Sequence, residues 1–340
     1  MPIIYAGAYE HEAAISLSSA DITKFDPDYA PYALHLFPCM DGPVVAAPAQ
    51  VWLGYSPVPL PAPTFVNWLH FRCVREGATS GTASSHVIMQ AFGVGGVLLF
   101  NIVRETNHIG GWGLRVNGQT GPGAHLLPNV NGYFPDGQSV TFDIRLTQNG
   151  VNHIVDLFVN GILQGTATRA NVVQVQLDVV RFTAIPSNTL GQFDLYLSEM
   201  IMTDAEPTIG SRLASQRPTG VAEINTWAGT WASLADDDTG SGISTNVVGS
   251  RIAGQFETYN GTPTPVGIRA VVQANYYVDN ASGLLISSFL RNAGVNDDTF
   301  DFEARDLSRV FTVWDDNPFT SAFWTVANLA AVRGGVRSRV

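Results

Sequence analysis

Asp194 and Glu199, in the run FDLYLSEM, are the two carboxylates whose spacing comes nearest to a hydrolytic pair. Glycoside hydrolysis needs two carboxyl groups facing each other across the scissile bond. On a regular strand that means positions i, i+2 or i, i+4. The odd interval between Asp194 and Glu199 puts them on opposite faces, and Asp143 in TFDIRL has no acidic residue two positions either side. The seven histidines, His11, His35, His70, His86, His108, His125 and His153, include no i, i+4 pair with a Glu between them, which excludes a zincin helix. There is no G-x-S-x-G elbow. The glycine-rich GVGGVLLF from Gly93 lacks a lysine and runs into a strand, so it reads as a hairpin turn or bulge, not a phosphate loop. We therefore expect no enzyme activity and assign no catalytic residue.

Two other groups of residues carry binding chemistry. Asp236, Asp237 and Asp238 precede TGSG and offer the hard oxygen ligands that Ca²⁺ takes. The EF-hand spacing is absent, so a solvated acidic turn is the competing reading, as for Asp297-Asp298 and Asp315-Asp316; no other cofactor is implied. Trp227, Trp231, Tyr276 and Tyr277 are the candidate ligand-binding aromatics, because flat rings on a β-surface stack on sugar faces or anchor protein interfaces. Their competing reading is core. Trp227, ahead of a strand, and Trp324, in an expected short helix, are assigned to the core.

The elements that must position these residues are strands. HIVDLFVNGILQGTAT, over His153–Thr168, alternates apolar and polar residues on either side of Asn160-Gly161, and an Asn-Gly pair supplies the positive φ angles of a two-residue hairpin. Asn117-Gly118, Asp136-Gly137 and Asn149-Gly150 repeat the signal. From Phe65 onward, runs such as FVNWLHFRCVRE, HVIMQAFGVGGVLLFNIVRE, SVTFDIRLTQ and VQLDVVRFTAI follow at sandwich-like spacing with no helical period between them. The fold expected is all-β with very little helix: two tandem antiparallel β-sandwiches. Residues 1–64 read as an irregular segment with short strands near Ala33–Phe37 and Val51–Tyr55, part of the first domain or packed on it. Residues 65–204 form the first sandwich. Residues 205–220, DAEPTIGSRLASQRPTG with its neighbours, read as a linker with a helical turn at Ile209–Ala214. Residues 221–340 form the second sandwich, in which Ile268, Ala270, Val272, Ala274 and Tyr276 share a face. It ends in a short helix over FTSAFWTVANLAAV, capped by Thr320 or Ser321 and stopped by Gly334-Gly335.

Composition narrows the partners. Of 340 residues, 45% are apolar, enough for a core in each domain, and only 14% are charged, so solubility rests on neutral polar groups. The net charge of −11 excludes a nucleic-acid partner, which needs a basic footprint. Lys24 is the only lysine beside 17 arginines, a bias that fits packed interfaces or a GC-rich coding sequence. Cys39 and Cys73 are too few for a disulfide framework or zinc site; Cys73 reads as a buried apolar residue, a Cys39–Cys73 bridge as the alternative. No apolar run is long enough to span a membrane, and MPIIYAGAYEHEAA has neither the basic nor the apolar region of a signal peptide. The expectation is a chain made in a cytoplasm.

IVDLFVNGILQGTA, preceded by SVTFDIRL and followed by FDLYLSEMIMTD, resembles the concanavalin A-like (laminin-G-like) lectin/glucanase fold. With the DAEPTIGSRLASQRPTG…TWAGTW junction, IRAVVQANYYV and the closing pattern at Pro318, Thr320, Trp324, Thr325, Gly335 and Val336, most of residues 65–340 is similar to structural proteins of tailed phages and prophages. The glucanase E-x-D-x-E signature is absent. The resemblance implies a jelly-roll first domain and a location in the virion. It further implies other virion proteins as partners, a homo-oligomer of which a trimer is the usual form, and an external tail fibre or spike whose lectin-like domain contacts host surface glycans for attachment. A capsid decoration or head-fibre protein without a ligand, and a non-catalytic carbohydrate-binding module, are the alternatives it leaves open.

Overall fold

A computed structural model describes residues 3–7, 34–36, 50–54, 65–76, 85–105, 112–116, 137–170, 173–186, 194–214, 216–234, 242–259, 267–277, 285–298, 302–303 and 308–339. The chain is nearly all β and antiparallel, and it divides into two compact units, Met1–Leu213 and Ala214–Val340.

The first unit contains β1 (Ile3–Gly7), β2 (Leu34–Leu36), β3 (Gln50–Gly54), β4 (Val66–Glu76), β5 (Ser85–Gly93), β6 (Val97–Glu105), β7 (Trp112–Val116), β8 (Ser139–Gln148), β9 (Asn152–Val159), β10 (Ile162–Ala170), β11 (Leu177–Pro186) and β12 (Asp194–Asp204). One sheet runs β1-β12-β4-β8-β9-β10, with β2 also on β12; the other runs β3-β11-β5-β6-β7. The segment before residue 65 thus lends strands to both sheets. Two lie where the sequence places them, and Ile3–Gly7 is an addition that pairs with the end of β12.

Turn chemistry sets the registers. Asn160 and Gly161 have φ of 49° and 78°, the two positive angles of a type I′ turn, and Ile162 pairs with Val159 directly beyond it. Asn149 closes the β8–β9 connection by accepting the Val151 and Asn152 N–H groups on its side-chain oxygen. Gly95 and Gly96, both at positive φ, make the glycine-rich run from Gly93 a hairpin turn. Period-2 alternation then gives each sheet one apolar face. Leu69, Phe71 and Cys73 align with Ile144, Phe142 and Val140, and these with Leu157 and Val159. Phe71 and Phe142 stack with centroids 5.1 Å apart. The buried residues of the other sheet are Met89, Ala91, Phe100, Ile102 and Val180. Burying these two faces against each other builds the first core.

The residues after β12 are not a helical turn, nor a free linker. Ala205 donates its N–H to the Val66 carbonyl, Thr203 donates its hydroxyl to the Glu206 carbonyl, and the Thr208 hydroxyl donates to Asp143 at 2.7 Å. Arg212 and the Leu213 N–H bind Glu199. These polar attachments hold the segment against the seven-stranded sheet, and the first unit extends to Leu213.

The second unit contains β13 (Pro218–Asn225), β14 (Arg251–Phe256), β15 (Val271–Tyr277), β16 (Leu285–Asn292), β17 (Val295–Asp298), β18 (Phe302–Glu303), β19 (Ser308–Trp314), α1 (Val326–Ala331) and β20 (Arg333–Arg339). A six-stranded sheet runs β13-β14-β20-β16-β17 with β18 on β16, and β15 pairs with β19 as a separate ribbon. Two apolar clusters form: Trp231, Ile252, Ile286 and Val336 in one, Leu290, Trp314, Trp324 and Val332 in the other. Ile286 and Leu290 are four residues apart on β16 and share a face, so both clusters lie along one side of the sheet.

Three local expectations are corrected here. The helix is capped by Thr325, not by Thr320 or Ser321. The Thr325 hydroxyl accepts the Asn328 N–H while the Asn328 side chain accepts the Thr325 N–H, a complete capping box. Trp324 precedes the helix. Gly334 and Gly335 do not stop it; they belong to β20, where side chains of Phe256 and Phe289 fill the space a Cβ would occupy. Finally, Ile268 and Val271, three residues apart, both pack on the Trp314 cluster, because the strand begins only at Val271 and Ile268 makes its own bridge to Trp324. The strict alternation from Ile268 to Tyr276 therefore does not hold at its start.

Candidate functional site

The five-stranded sheet turns one face to the first core, and its other face carries a line of polar residues. On β5, Gln90 lies between the buried Met89 and Ala91; on β6, Asn101 lies between the buried Phe100 and Ile102. Alternation forces both to the face away from the core, where they are half-buried. They are direct cross-strand partners, and the Gln90 amide N–H donates to the Asn101 side-chain oxygen at 3.1 Å. The register continues on both sides. Arg181 of β11 stands opposite Gln90, Trp52 of β3 opposite Arg181, and Arg115 of β7 opposite Asn101. Each of the five strands contributes one residue to the line Trp52–Arg181–Gln90–Asn101–Arg115. Directly opposed residues of an antiparallel pair share a face, so the line crosses the whole sheet, about 19 Å at the usual strand spacing.

The Gln90 and Asn101 amides offer hydrogen-bond donors and acceptors, and the side chains of Trp52, Arg181 and Arg115 lie outside the described residues. The line holds no carboxylate and so lacks the acid/base pair of a glycosidase.

The outer face of the seven-stranded sheet is more polar in composition, and most of its buried groups pair with one another, while the buried His70 Nε2 has no hydrogen-bond partner among the described residues. His70 and Asp143 are opposed on β4 and β8; the His70 Nδ1–H bonds Asp143 at 2.8 Å, and Thr208 caps the same oxygen. Asp156 accepts Arg145 at 2.7 Å and the Thr166 hydroxyl. Arg145 lies 5.7 Å from the Trp68 ring, which packs on Phe158. His70, Asp143, Asp156 and Thr208 are all buried. This network attaches the post-β12 segment through Thr208 and leaves the Arg145 side chain partly exposed.

Glu199 departs from the regular-strand expectation. Between Ser198 and Ile201 the β12–β4 register slips by one residue, and Glu199 has a φ of 50°. At this bulge its side chain emerges beside Arg72, 3.5 Å away, and is gripped by Arg212 through two bonds of 2.7 and 2.8 Å. Opposite faces are thus not what separates it from Asp194. Glu199 is buried in ion pairs, and Asp194 begins the same strand with its side chain outside the described residues.

The aromatic candidates of the second unit divide. Trp231 is 3% exposed, donates its indole N–H to the Gln255 carbonyl at 2.8 Å and lies against Gly254, where a Cβ would meet its ring at 2.5 Å. It presents no ring face to a ligand. Trp227 is half-buried against the same cluster. Trp314 and Trp324 are buried and linked, the Trp324 indole N–H donating to the Trp314 carbonyl. Tyr276 and Tyr277 end β15, paired with Arg309 and Ser308, and their side chains lie outside the described residues. So do Asp236, Asp237, Asp238 and Cys39. Among the described residues no group of three or more His, Cys, Asp or Glu is placed to hold a metal ion. Cys73 is a free, buried thiol.

The polar line itself could not be found by scanning the sequence. Its members come from strands up to about 130 positions apart and meet only through register.

No family model matches the chain, and no curated protein matches it. Among solved structures it is similar to the botulinum neurotoxin serotype G binding domain, at 11% identity and a TM-score of 0.39 over 60% of this chain and 48% of that one. The chain thus spans about half the length of that domain. It is also similar to a structure of botulinum neurotoxin type C, whose cell entry depends on two ganglioside molecules, at 10% identity and a TM-score of 0.39 over 98% of both chains. Alginate lyase A1-II′ matches at 13% identity and a TM-score of 0.34 over 51% of this chain and 80% of that one. These likenesses reach no further than β-rich architecture and say nothing about which residues act.

Proposed function

We propose that this chain is a contact protein: a non-catalytic, lectin-like binder whose first unit engages a glycan along the outer face of the five-stranded sheet. The observation that carries the reading is the unbroken line Trp52–Arg181–Gln90–Asn101–Arg115, one residue per strand. Residue types of this kind in register across five strands suit an extended ligand lying across the strands, hydrogen-bonded by the Gln90–Asn101 amide pair. The lack of a carboxylate in the line favours binding over hydrolysis.

The setting we propose is the outside of a tailed-phage particle, as a tail-associated fibre or spike component that touches the host surface. The sequence resemblance over most of residues 65–340 supports this, as does the sparse charge of 14%, which suits broad contacts with neighbouring chains. Other virion proteins and further copies of the chain are its proposed partners.

Two measurements test the reading. A glycan array probed with the full chain should give binding to a defined subset of glycans; a blank array would refute the lectin role. Immunogold labelling of an intact particle should place a few to a few tens of copies on the tail. Hundreds of copies on the head would instead make the chain a decoration protein.

A further inference from the structure

We propose that Asp204 is a proton-operated latch for Ala205–Leu213, the segment that leaves β12 and lies on the seven-stranded sheet: with its proton it bonds the Asn67 side-chain oxygen and holds the segment down, and without it the segment loosens at this end. Asp204 ends β12 and stands directly opposite Asn67 of β4. Both residues are only 4% exposed, and the Oδ1 atom of each is buried with no hydrogen-bond partner. Directly opposed residues have Cβ atoms about 4.5–5.5 Å apart, so neighbouring side chains carry two buried acceptors with no donor for either. One proton on Asp204 turns an acceptor into a donor and serves both groups. A hard cation is the other way to serve two oxygens, but it takes about six or more ligands. The adjoining carbonyls of Val66 and Asp204 already accept the Ala205 and Glu206 N–H groups.

The surroundings favour the protonated form. Asn67 and Asp204 lie on the core face, where their neighbours Leu69, Leu146 and Met202 carry no charge. His70, Asp143 and Arg145 lie on the outer face, and Glu206 is exposed. His153 and Arg169 share the core face but stand three and four strands across, on β9 and β10. On β1 the one titratable residue is Tyr5, opposite Met202, and the buried core residues of the other sheet are uncharged. Burial therefore raises the Asp204 carboxyl from its ordinary 3.8. The next residue links this carboxyl to the segment. Ala205 has a φ of 61°, a left-handed conformation that costs energy in a non-glycine residue, and its N–H donates to the Val66 carbonyl, beside Asn67, at 2.8 Å. Ionising Asp204 buries a charge with no partner. Moving the end of β12 away from Asn67 relieves it, breaks the Ala205–Val66 bond and relaxes Ala205. A carboxyl raised by folding holds its contribution at low pH and loses it as pH rises through the raised value, so the segment is held in mild acid and loosens above it.

The test is hydrogen exchange of the full chain across mildly acidic to mildly alkaline pH, corrected for intrinsic rates and read in a peptide spanning Asp204–Leu213. Its protection should fall as pH rises, by at most about tenfold per pH unit, the limit for one proton, while peptides from β8 keep theirs. In Asp204→Asn an amide supplies the donor at every pH, and the fall should vanish. Infrared spectra of the unaltered chain should also show a protonated carboxyl band that persists after exposed carboxyls have ionised, and Asp204→Asn should remove it. Protection that does not change with pH, or changes equally in Asp204→Asn, would overturn the latch. Absence of the band in the unaltered chain would overturn it too, whether or not the variant folds. Protection that rises on adding Ca²⁺ and falls with a chelator, in the unaltered chain but not in Asp204→Asn, would replace the proton with a cation.

Discussion

Single residues in the first unit carry consequences that can be measured without knowing the ligand. Cys73 is wholly buried in the core, and burial pushes its thiol well above the ordinary value. It should therefore resist a thiol reagent at neutral pH in the folded protein and react fully in denaturant; rapid reaction in native buffer would contradict the burial. His153 is a buried imidazole whose Nε2–H meets the Val173 carbonyl at 3.1 Å. Burial lowers its pKa from the ordinary 6.5, with the Val173 bond opposing and Arg169 reinforcing the shift. A base lowered in this way binds more protons unfolded than folded. Its stability contribution is full above the ordinary value and is lost as pH falls through it. The melting temperature should accordingly drop between pH 7 and pH 5, and the drop should be smaller in His153→Gln; an identical pH slope in the variant would exclude His153 as the cause. Asp204, raised by burial from the ordinary 3.8, works in the opposite sense. Its contribution is present at lower pH and fades as pH rises above that value, so it does not account for a loss on acidification.

At the scale of elements, what could be read from the chain was whatever depends on near neighbours. Asn160-Gly161 is legible because a type I′ turn is decided by two residues, and the alternation on either side of it fixes which face is buried. Glu199 was not legible in the same way: one extra residue in β12 moves its side chain to the Arg72 side, and nothing in LSEMIM announces a bulge. Trp231 was legible as an aromatic with core among its readings, but the sequence could not decide between core and ligand, because its place depends on Gly254, more than twenty residues on, leaving room beneath the ring. That dependence gives a prediction for the element. Gly254→Ala drives a methyl into the Trp231 indole from the middle of β14, an overpacking that costs about 1–3 kcal/mol. Chemical denaturation followed by tryptophan fluorescence should show a lower midpoint, and an unchanged midpoint would mean that the ring has room to move.

For the molecule as a whole, the division of labour follows from where polar groups are already used. The seven-stranded sheet uses its polar outer face to hold Ala205–Leu213, with Asp143 and Glu199 making that attachment. The second unit uses its tryptophans to build two clusters on one side of its sheet. The five-stranded sheet instead carries the Gln90–Asn101 amide pair, in register with one residue from each of the other three strands. Composition could indicate a two-unit β-protein suited to contacts, because alternation and turn residues recur throughout the chain. It could not indicate the line, because register between distant strands is a property of the folded sheets. The most direct measurement is to incubate the full chain, and its Gln90→Ala/Asn101→Ala variant, with a polysaccharide selected on the glycan array, following binding and polymer length together. The account predicts that the chain binds and leaves the polymer intact, and that the variant, folded by circular dichroism, no longer binds. Shortened polymer, or a variant that binds as well as the original chain, would contradict it.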